Sequence, residues 1–373
     1  MNLVAVNWRD FRDPDGGGAE IHLHEILRRM VDRGHRVTWF SCKFPGAAEH
    51  DSYDGIDVVR KGTWYNANFV IPRAVKAFLR GEKADLVIED INKIPFYMPW
   101  YVDVPVMPVI PHLFGKTVFR ETNPVFASYV YAWEQLIPRV FRDCRFSVIS
   151  PSTRDDLVSR GVPEKNVDVV LCGLDHDRFR VVGGLSRFDN PTIVHFGRVR
   201  KYKAIDVVIE AFALIRQKLP DARLVIIGDG PELPALESLA GRMGLGDAVE
   251  FTGRLETEKM VELLNRSHLF MNASPKEGWG LTVLEANACG VPVVGSNRPG
   301  LKDSILHEKT GFLVEYGDAR AFAARGLELL TDHTLWTRMS LAGLEWARSL
   351  TWDRTANEME QLFLREAGER PPA

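Results

Sequence analysis

One pattern governs what this chain can fold into. Short β-branched runs alternate with amphipathic stretches of helical period, and the alternation runs through the sequence twice. Such alternation builds βα units around a mostly parallel sheet, so two rounds predict two doubly wound, Rossmann-like domains. Strands are predicted near 3–6, 37–40, 58–60, 86–88, 104–109, 146–149 and 167–170, then near 193–196, 223–227, 249–252, 269–272, 291–294 and 311–314. A chain of 373 residues also exceeds one ordinary core and suits two. Gly173-Leu174-Asp175-His176-Asp177-Arg178, followed by Gly183-Gly184 and Asp189-Asn190-Pro191, is turn-prone and separates the rounds. The expected domains are therefore 1–178 and 179–350. Residues 351–373 form a closing helix that packs back on the first domain, with the tail Arg370-Pro371-Pro372-Ala373 frayed. Sheets of this kind bind ligands beyond the C-terminal ends of their strands, so a central cleft fed by loops of both domains is the expected site.

Composition narrows the partners. Hydrophobic residues make up 45% and charged residues 26%, as in a globular protein, and a net charge of −3 gives no general grip on nucleic acid. The four cysteines, Cys42, Cys144, Cys172 and Cys289, contain no C-x-x-C pair and read as reduced thiols. The apolar start Leu3-Val4-Ala5-Val6 lacks the form of a signal peptide, and no run approaches the roughly 20 apolar residues of a membrane span. The expectation is a cytoplasmic protein, with peripheral contact at the inner face of a membrane left open.

Three regions carry chemistry. Asp15-Gly16-Gly17-Gly18-Ala19-Glu20 follows the first strand and opens a helix; it suits close approach to an anion, or equally a loop needing positive φ. It lacks the dinucleotide fingerprint G-x-G-x-x-G. His195-Phe196-Gly197-Arg198-Val199-Arg200-Lys201-Tyr202-Lys203 runs from a strand into a loop with four cations, fit to neutralise a diphosphate leaving group or simply solvated. Gly228-Asp229-Gly230-Pro231-Glu232 reads as ligand loop or tight turn. The third region, Glu277-Gly278-Trp279-Gly280-Leu281-Thr282-Val283-Leu284-Glu285, places one carboxylate before a helix entrance and one within the helix. The N–H groups of Leu281 and Thr282 there suit phosphate oxygens. A carboxylate beside them is better matched to sugar hydroxyls than to phosphate.

Over nearly its whole length the chain resembles the retaining GT-B-fold glycosyltransferases of group 1, family four type. The matching residues are Gly17-Gly18-Ala19-Glu20, Pro111-His112-Leu113-Phe114-Gly115, Gly173-Leu174-Asp175, Gly197-Arg198 with Lys203, Gly228-Asp229-Gly230-Pro231-Glu232, and Glu277-Gly278-Trp279-Gly280-Leu281 through Glu285. The resemblance implies transfer of a sugar from a nucleoside diphosphate sugar to a hydroxyl of a glycan, glycolipid or small molecule. It implies that Arg198 and Lys203 hold the diphosphate, with Gly17, Gly18, Gly197, Gly228, Gly230, Gly278, Trp279, Gly280, Leu281 and Thr282 around the donor. Glu277 then reaches the transferred sugar, Glu285 the ribose, and His112 the reacting centre. No cofactor is implied. The sequence departs from the family at Ala204, where glycine is usual, and at Cys172, where asparagine is usual. Asp175-His176-Asp177 mimics a metal-binding Asp-x-Asp, but it falls at the linker of a fold that uses cations and helix dipoles, so no metal is expected. The alternatives are a nucleotide-sugar-binding module without activity and a GT-B epimerase or phosphorylase.

Acceptor contacts are expected in the first domain, at Trp64, Tyr65, Asn66 and Lys93, within 62–68 and 92–96. Packing of Trp64 and Tyr65 under a loop explains the same residues. The stretch 118–145 mixes aromatics with Arg120, Arg139, Arg142 and Arg145, and reads either as a membrane-facing surface or as a buried helix with basic ends.

Overall fold

The computed structural model describes residues 1–120 and 123–368, except for the side chain of Arg120. The tail 370–373, expected to fray, lies outside the described residues. The chain divides into two compact units, Met1–Gly173 with Trp352–Ala373, and Leu174–Thr351. Each unit is one mostly or wholly parallel sheet clothed by helices.

The sheet of the first unit has the order β3-β4-β2-β1-β5-β6-β7-β8. Its strands are β1 (Asn2–Val6), β2 (Arg36–Ser41), β3 (His50–Tyr53), β4 (Ile56–Arg60), β5 (Leu86–Asp90), β6 (Val106–Ile110), β7 (Phe146–Val148) and β8 (Val167–Val169). All neighbours are parallel except β3 and β4. That hairpin was not expected, although its turn is an Asp-Gly pair. Asp54 and Gly55 both take positive φ, 52° and 72°, the geometry that joins two twisted antiparallel strands in two residues. β3 is short and polar, an edge strand with no apolar alternation to advertise it.

Two helical layers cover this sheet. On one face lies α1 (Gly18–Asp32), whose Leu23, Ile26, Leu27 and Met30 pack with Trp39 and Ile88. The C-terminal helix Trp352–Glu366 joins the same core through Ala356, Met359, Leu362 and Phe363. It is also tied to α1 by Arg29–Asp353 at 2.7 Å and to the loop after it by Arg33–Glu360 at 2.6 Å. On the other face α2 (Ala67–Phe78) buries Ala67, Ile71 and Val75 against Phe40. Further along the chain, α3 (Pro124–Glu134) buries Ala127 and Val130.

The second unit has the order β11-β10-β9-β12-β13-β14, entirely parallel. Its strands are β9 (Thr192–Phe196), β10 (Arg223–Ile227), β11 (Val249–Gly253), β12 (Leu269–Asn272), β13 (Val293–Ser296) and β14 (Gly311–Val314). The central strands β9, β10, β12 and β13 are nearly continuous apolar runs, as burial on both faces requires. Chain order reverses between β9 and β12, which makes that point the topological switch where such sheets receive ligands.

Candidate active site

In the second unit, the segment after β9 bends back through Lys201–Lys203 into the helix Ile205–Arg216. The corner residue is Ala204, held in the left-handed region at φ 49°, ψ 44°. That conformation accounts for the family's preference for glycine here, since an L-residue in it costs about 1–2 kcal/mol. The turn directs Lys203 onto Glu277, with Nζ 2.6 Å from Oε1 and both side chains largely buried. Burial works against the Lys203 charge, but Glu277, with Tyr202, outweighs it and raises the lysine's pKa. Arg198, one turn earlier, is exposed, and its guanidinium has no carboxylate partner among the described residues.

The loop bearing Glu277 is fixed from behind. Glu277 N donates to the Pro299 carbonyl at 2.9 Å, and Gly300 lies so close that a methyl group there would stand 2.3 Å from the Glu277 carbonyl oxygen. Gly280, at φ 88°, then caps the helix Leu281–Ala288. Its first N–H groups, Leu281 and Thr282, lie outside the helix's own ladder and carry the positive end of its dipole. Glu285, one turn on, is half-buried, and its carboxylate accepts no hydrogen bond from the described residues. Burial pushes its pKa up from an ordinary 4.5 to about 7, with Arg178 and Lys203 partly opposing the rise.

Gly228 and Gly230 serve the loop before they could serve a ligand. A methyl group on Gly228 would sit 1.9 Å from the Gly197 carbonyl oxygen, and one on Gly230 2.1 Å from that of Val199. The two loops are laced by Gly197 N to Ile227 O at 3.0 Å and Val199 N to Asp229 O at 2.9 Å. Trp279 is buried, and its indole Nε1 has no hydrogen-bond partner among the described residues. His195 was not singled out from sequence. It is buried at the end of β9, where its Nδ1–H donates to the Met271 carbonyl at 2.9 Å and its bare Nε2 has no partner among the described residues. Burial lowers its pKa to about 4, so it is neutral beside the Lys203–Glu277 pair.

In the first unit, Gly17 is the N-cap of α1 with an ordinary φ of −147°, and its N–H donates to Glu20 Oε2 at 2.7 Å. The positive φ weighed for this loop is not what its glycines supply. Glu20 also accepts from Asn92 at 2.8 Å and lies 3.6 Å from Lys93 Nζ. Lys93 and Arg9 in turn stand over the Trp64 ring, at 5.5 and 5.3 Å from its centroid, and the Trp8 ring lies tilted against it at 4.9 Å. Asn68 Nδ2 donates to the Pro95 carbonyl at 2.8 Å, so the two stretches expected to meet the acceptor are adjacent. Tyr65 is 94% exposed and packs under nothing. Asn66 is occupied differently: its Oδ1 accepts the Thr63 N–H at 2.7 Å ahead of α2.

His112 follows β6, its ring edge-on to Phe114 at 5.2 Å. The loop is clamped by a residue that sequence reasoning missed, Glu134 at the end of α3, which is fully buried. Its carboxylate accepts the N–H groups of Phe114 and Gly115 at 2.7 and 2.8 Å and meets Arg160 at 3.3 Å. Glu89 does likewise for the next loop, accepting three N–H groups from Phe96, Tyr97 and Met98. In the Asp-x-Asp stretch, Asp175 caps its own turn through the N–H groups of Asp177 and Arg178, both at 3.1 Å.

Comparison with known proteins follows the same division. A family model described as glycosyl transferases group 1 matches residues 184–346, and one described as glycosyltransferase family 4 matches 16–178. The chain is 28% identical over 98% of both chains to a GDP-mannose-dependent alpha-(1-6)-phosphatidylinositol monomannoside mannosyltransferase of Mycobacterium tuberculosis. It is 36% identical to the N-acetyl-alpha-D-glucosaminyl L-malate synthase of Bacillus anthracis, over 44% of this chain and 42% of that one. Among solved structures, sucrose-phosphate synthase from Thermosynechococcus elongatus superposes with a TM-score of 0.81 at 21% identity, covering 99% of this chain and 100% of that one.

Proposed function

Because this chain belongs to the GT-B glycosyltransferases of group 1, family four type, we propose that it transfers a sugar from a nucleoside diphosphate sugar to an acceptor hydroxyl with retention of configuration and without a metal. The observation that carries the reading is the cluster at the β9–β12 switch point: Arg198, with no carboxylate partner among the described residues, the Lys203–Glu277 pair and the helix start at Leu281. When the glycosyl–phosphate bond breaks, negative charge develops on the diphosphate. Arg198, Lys203 and the Leu281 and Thr282 N–H groups supply positive charge that is already in place, so little reorganisation is needed in the transition state. Glu277, released by Lys203 as the lysine turns to the diphosphate, accepts hydroxyls of the migrating sugar. Glu285 accepts those of the ribose.

Retention then proceeds by front-face attack. The acceptor oxygen bonds to the anomeric carbon on the face the diphosphate leaves, and a departing phosphate oxygen takes the acceptor's proton. For the first unit, the resemblance alone assigns Gly17 and Gly18 to the donor and His112 to the reacting sugar. Trp64 with Lys93 is the proposed acceptor platform, joined by the exposed Tyr65; Asn66 is set aside because its side chain holds the turn before α2. The name of the mycobacterial relative makes GDP-mannose the first donor to test and a lipid-linked glycoside the first acceptor, with peripheral contact between the first unit and the membrane that carries it.

Thermal-shift measurement against GDP-, UDP-, ADP- and dTDP-sugars identifies the donor, since the right one stabilises by mass action. Arg198→Ala or Lys203→Ala is expected to lower kcat by on the order of 100- to 1,000-fold. Near-normal turnover of either variant at saturating donor would sink the assignment. NMR of the product's anomeric linkage tests retention, and an undiminished rate in chelator tests metal independence.

A further inference from the structure

A side chain that caps a helix from its third position needs one oxygen and no charge, and glutamine takes the N-cap N–H as glutamate does. Glu20 of α1 does more. Its Oε2 accepts the Gly17 N–H at 2.7 Å, while its Oε1 is turned to the loop after β5, where it accepts Asn92 Nδ2 at 2.8 Å with Lys93 Nζ at 3.6 Å. The residue is buried, only 4% exposed. A carboxylate taken out of water is strongly disfavoured unless partners answer its charge, so a cap alone does not account for a glutamate here.

The surroundings make Glu20 the counter-charge of Lys93. Asp90, at the end of β5, is fully buried; its Oδ2 accepts Asn7 Nδ2 at 2.8 Å, and its Oδ1 has no hydrogen-bond partner among the described residues. Burial, with Glu20 adding to it, pushes the Asp90 carboxyl well above the usual carboxylate range, which favours the uncharged acid there. Burial also works against the Lys93 charge, and Glu20 opposes that loss. A second link joins the same two loops, from Trp8 Nε1 to the Ile94 carbonyl at 2.8 Å. Trp8 lies well before the glycines in sequence, whereas Glu20 bonds Gly17 itself.

We propose that Glu20 is a positioning residue that couples the two substrate seats of the first unit, the glycine loop and the Trp64–Lys93 platform, so that occupation of one favours occupation of the other. The assignment rests on the proposed function, which gives Gly17 and Gly18 to the donor and Lys93 to the acceptor. A donor diphosphate against the Gly17 and Gly18 backbone fixes the start of α1, and with it the carboxylate that holds Asn92 and Lys93. The acceptor then meets side chains whose orientation is already set. Linkage makes the effect mutual, so an acceptor that fixes Lys93 strengthens donor binding by the same factor.

Calorimetric titration of the full-length protein with GDP-mannose, UDP-glucose, ADP-glucose and dTDP-glucose gives the donor affinity, and a double-mutant cycle between Glu20→Gln and Lys93→Met tests the coupling. Glutamine keeps the cap and loses the charge; methionine keeps an apolar stem and loses the ammonium. Each single variant is expected to weaken donor binding about fivefold, and the double variant by the same fivefold rather than about twenty-five-fold, because both changes cut one link. Removing both charges leaves neither buried and unpaired, so the double variant keeps the fold even where Lys93→Met alone does not, and its equality with Glu20→Gln then carries the test. Effects that multiply would overturn the coupling and leave the donor assignment standing. Donor affinity untouched by either single variant would reduce Glu20 to a helix cap. Failure of all four nucleotide sugars to bind the wild-type protein would overturn the proposed function and the coupling with it.

Discussion

If Glu285 binds the ribose as proposed, fold and function pull on it in opposite directions, and Glu285→Gln measures both. Burial raises its pKa from 4.5 to about 7, so the folded state holds a proton that the unfolded chain releases. Stability then falls as pH rises from the unfolded to the folded value, and the full cost is present above about 7. That rise in pKa corresponds to about 3 kcal/mol, which partial exposure reduces to about 1–3 kcal/mol. The glutamine variant, with no charge to desolvate, is expected to match wild type at about pH 4.5 and to exceed it by about 1–3 kcal/mol at about pH 8.5. At about 2–4 °C per kcal/mol, the melting temperature of the ligand-free variant should rise several degrees above wild type at the alkaline end. Donor binding should run the other way. Ribose hydroxyls donate to the ionised carboxylate, so wild-type affinity should climb through neutral pH and the variant's should be lower and flat. Differential scanning fluorimetry across pH, with and without nucleotide sugar, reads both. A melting difference independent of pH would refute the buried charge, and a variant with wild-type donor affinity at alkaline pH would refute the ribose contact.

Other expectations are simpler to state. Glu134→Ala strands two buried N–H groups and the Arg160 charge, so chemical denaturation should show a loss of about 3–5 kcal/mol, with activity falling as the His112 loop loosens. Gly228→Ala puts a methyl group 1.9 Å from a carbonyl oxygen and should unlace the two donor-side loops, raising the donor KM and lowering the melting temperature. Ala204→Gly relieves about 1–2 kcal/mol of left-handed strain but loses a buried methyl and gains unfolded-chain freedom, so denaturant titration should find it within about 1 kcal/mol of wild type. A loss beyond about 2 kcal/mol would mean the corner is not strained.

Legibility in the sequence followed chemical periodicity. The βα rounds were readable because buried parallel strands are unbroken apolar runs, and β9, β10 and β12 fell where those runs lie. β3 was not, because His50-Asp51-Ser52-Tyr53 is polar and its partner is found only through the turn. At the site, motif residues with charge, Lys203 and Glu277, could be named in advance, but not that they bond to each other in the absence of a ligand. Trp279, grouped with donor contacts by motif, is buried. Glu134, Glu89 and His195 were invisible because a buried polar residue is identified by what it bonds, and their partners are backbone groups elsewhere in the chain.

The return of Trp352–Glu366 to the first unit sets a timetable for synthesis. The second unit is contiguous in sequence and can complete itself as it leaves the ribosome. The first cannot, because Leu23, Ile26, Leu27 and Met30 of α1 wait for Met359, Leu362 and Phe363 to be made. At about 5–20 residues per second, the intervening stretch keeps that apolar face uncovered for on the order of ten seconds or more. A truncation before Trp352 would make the delay permanent, so the last helix is where a chaperone's hold on the nascent chain should end.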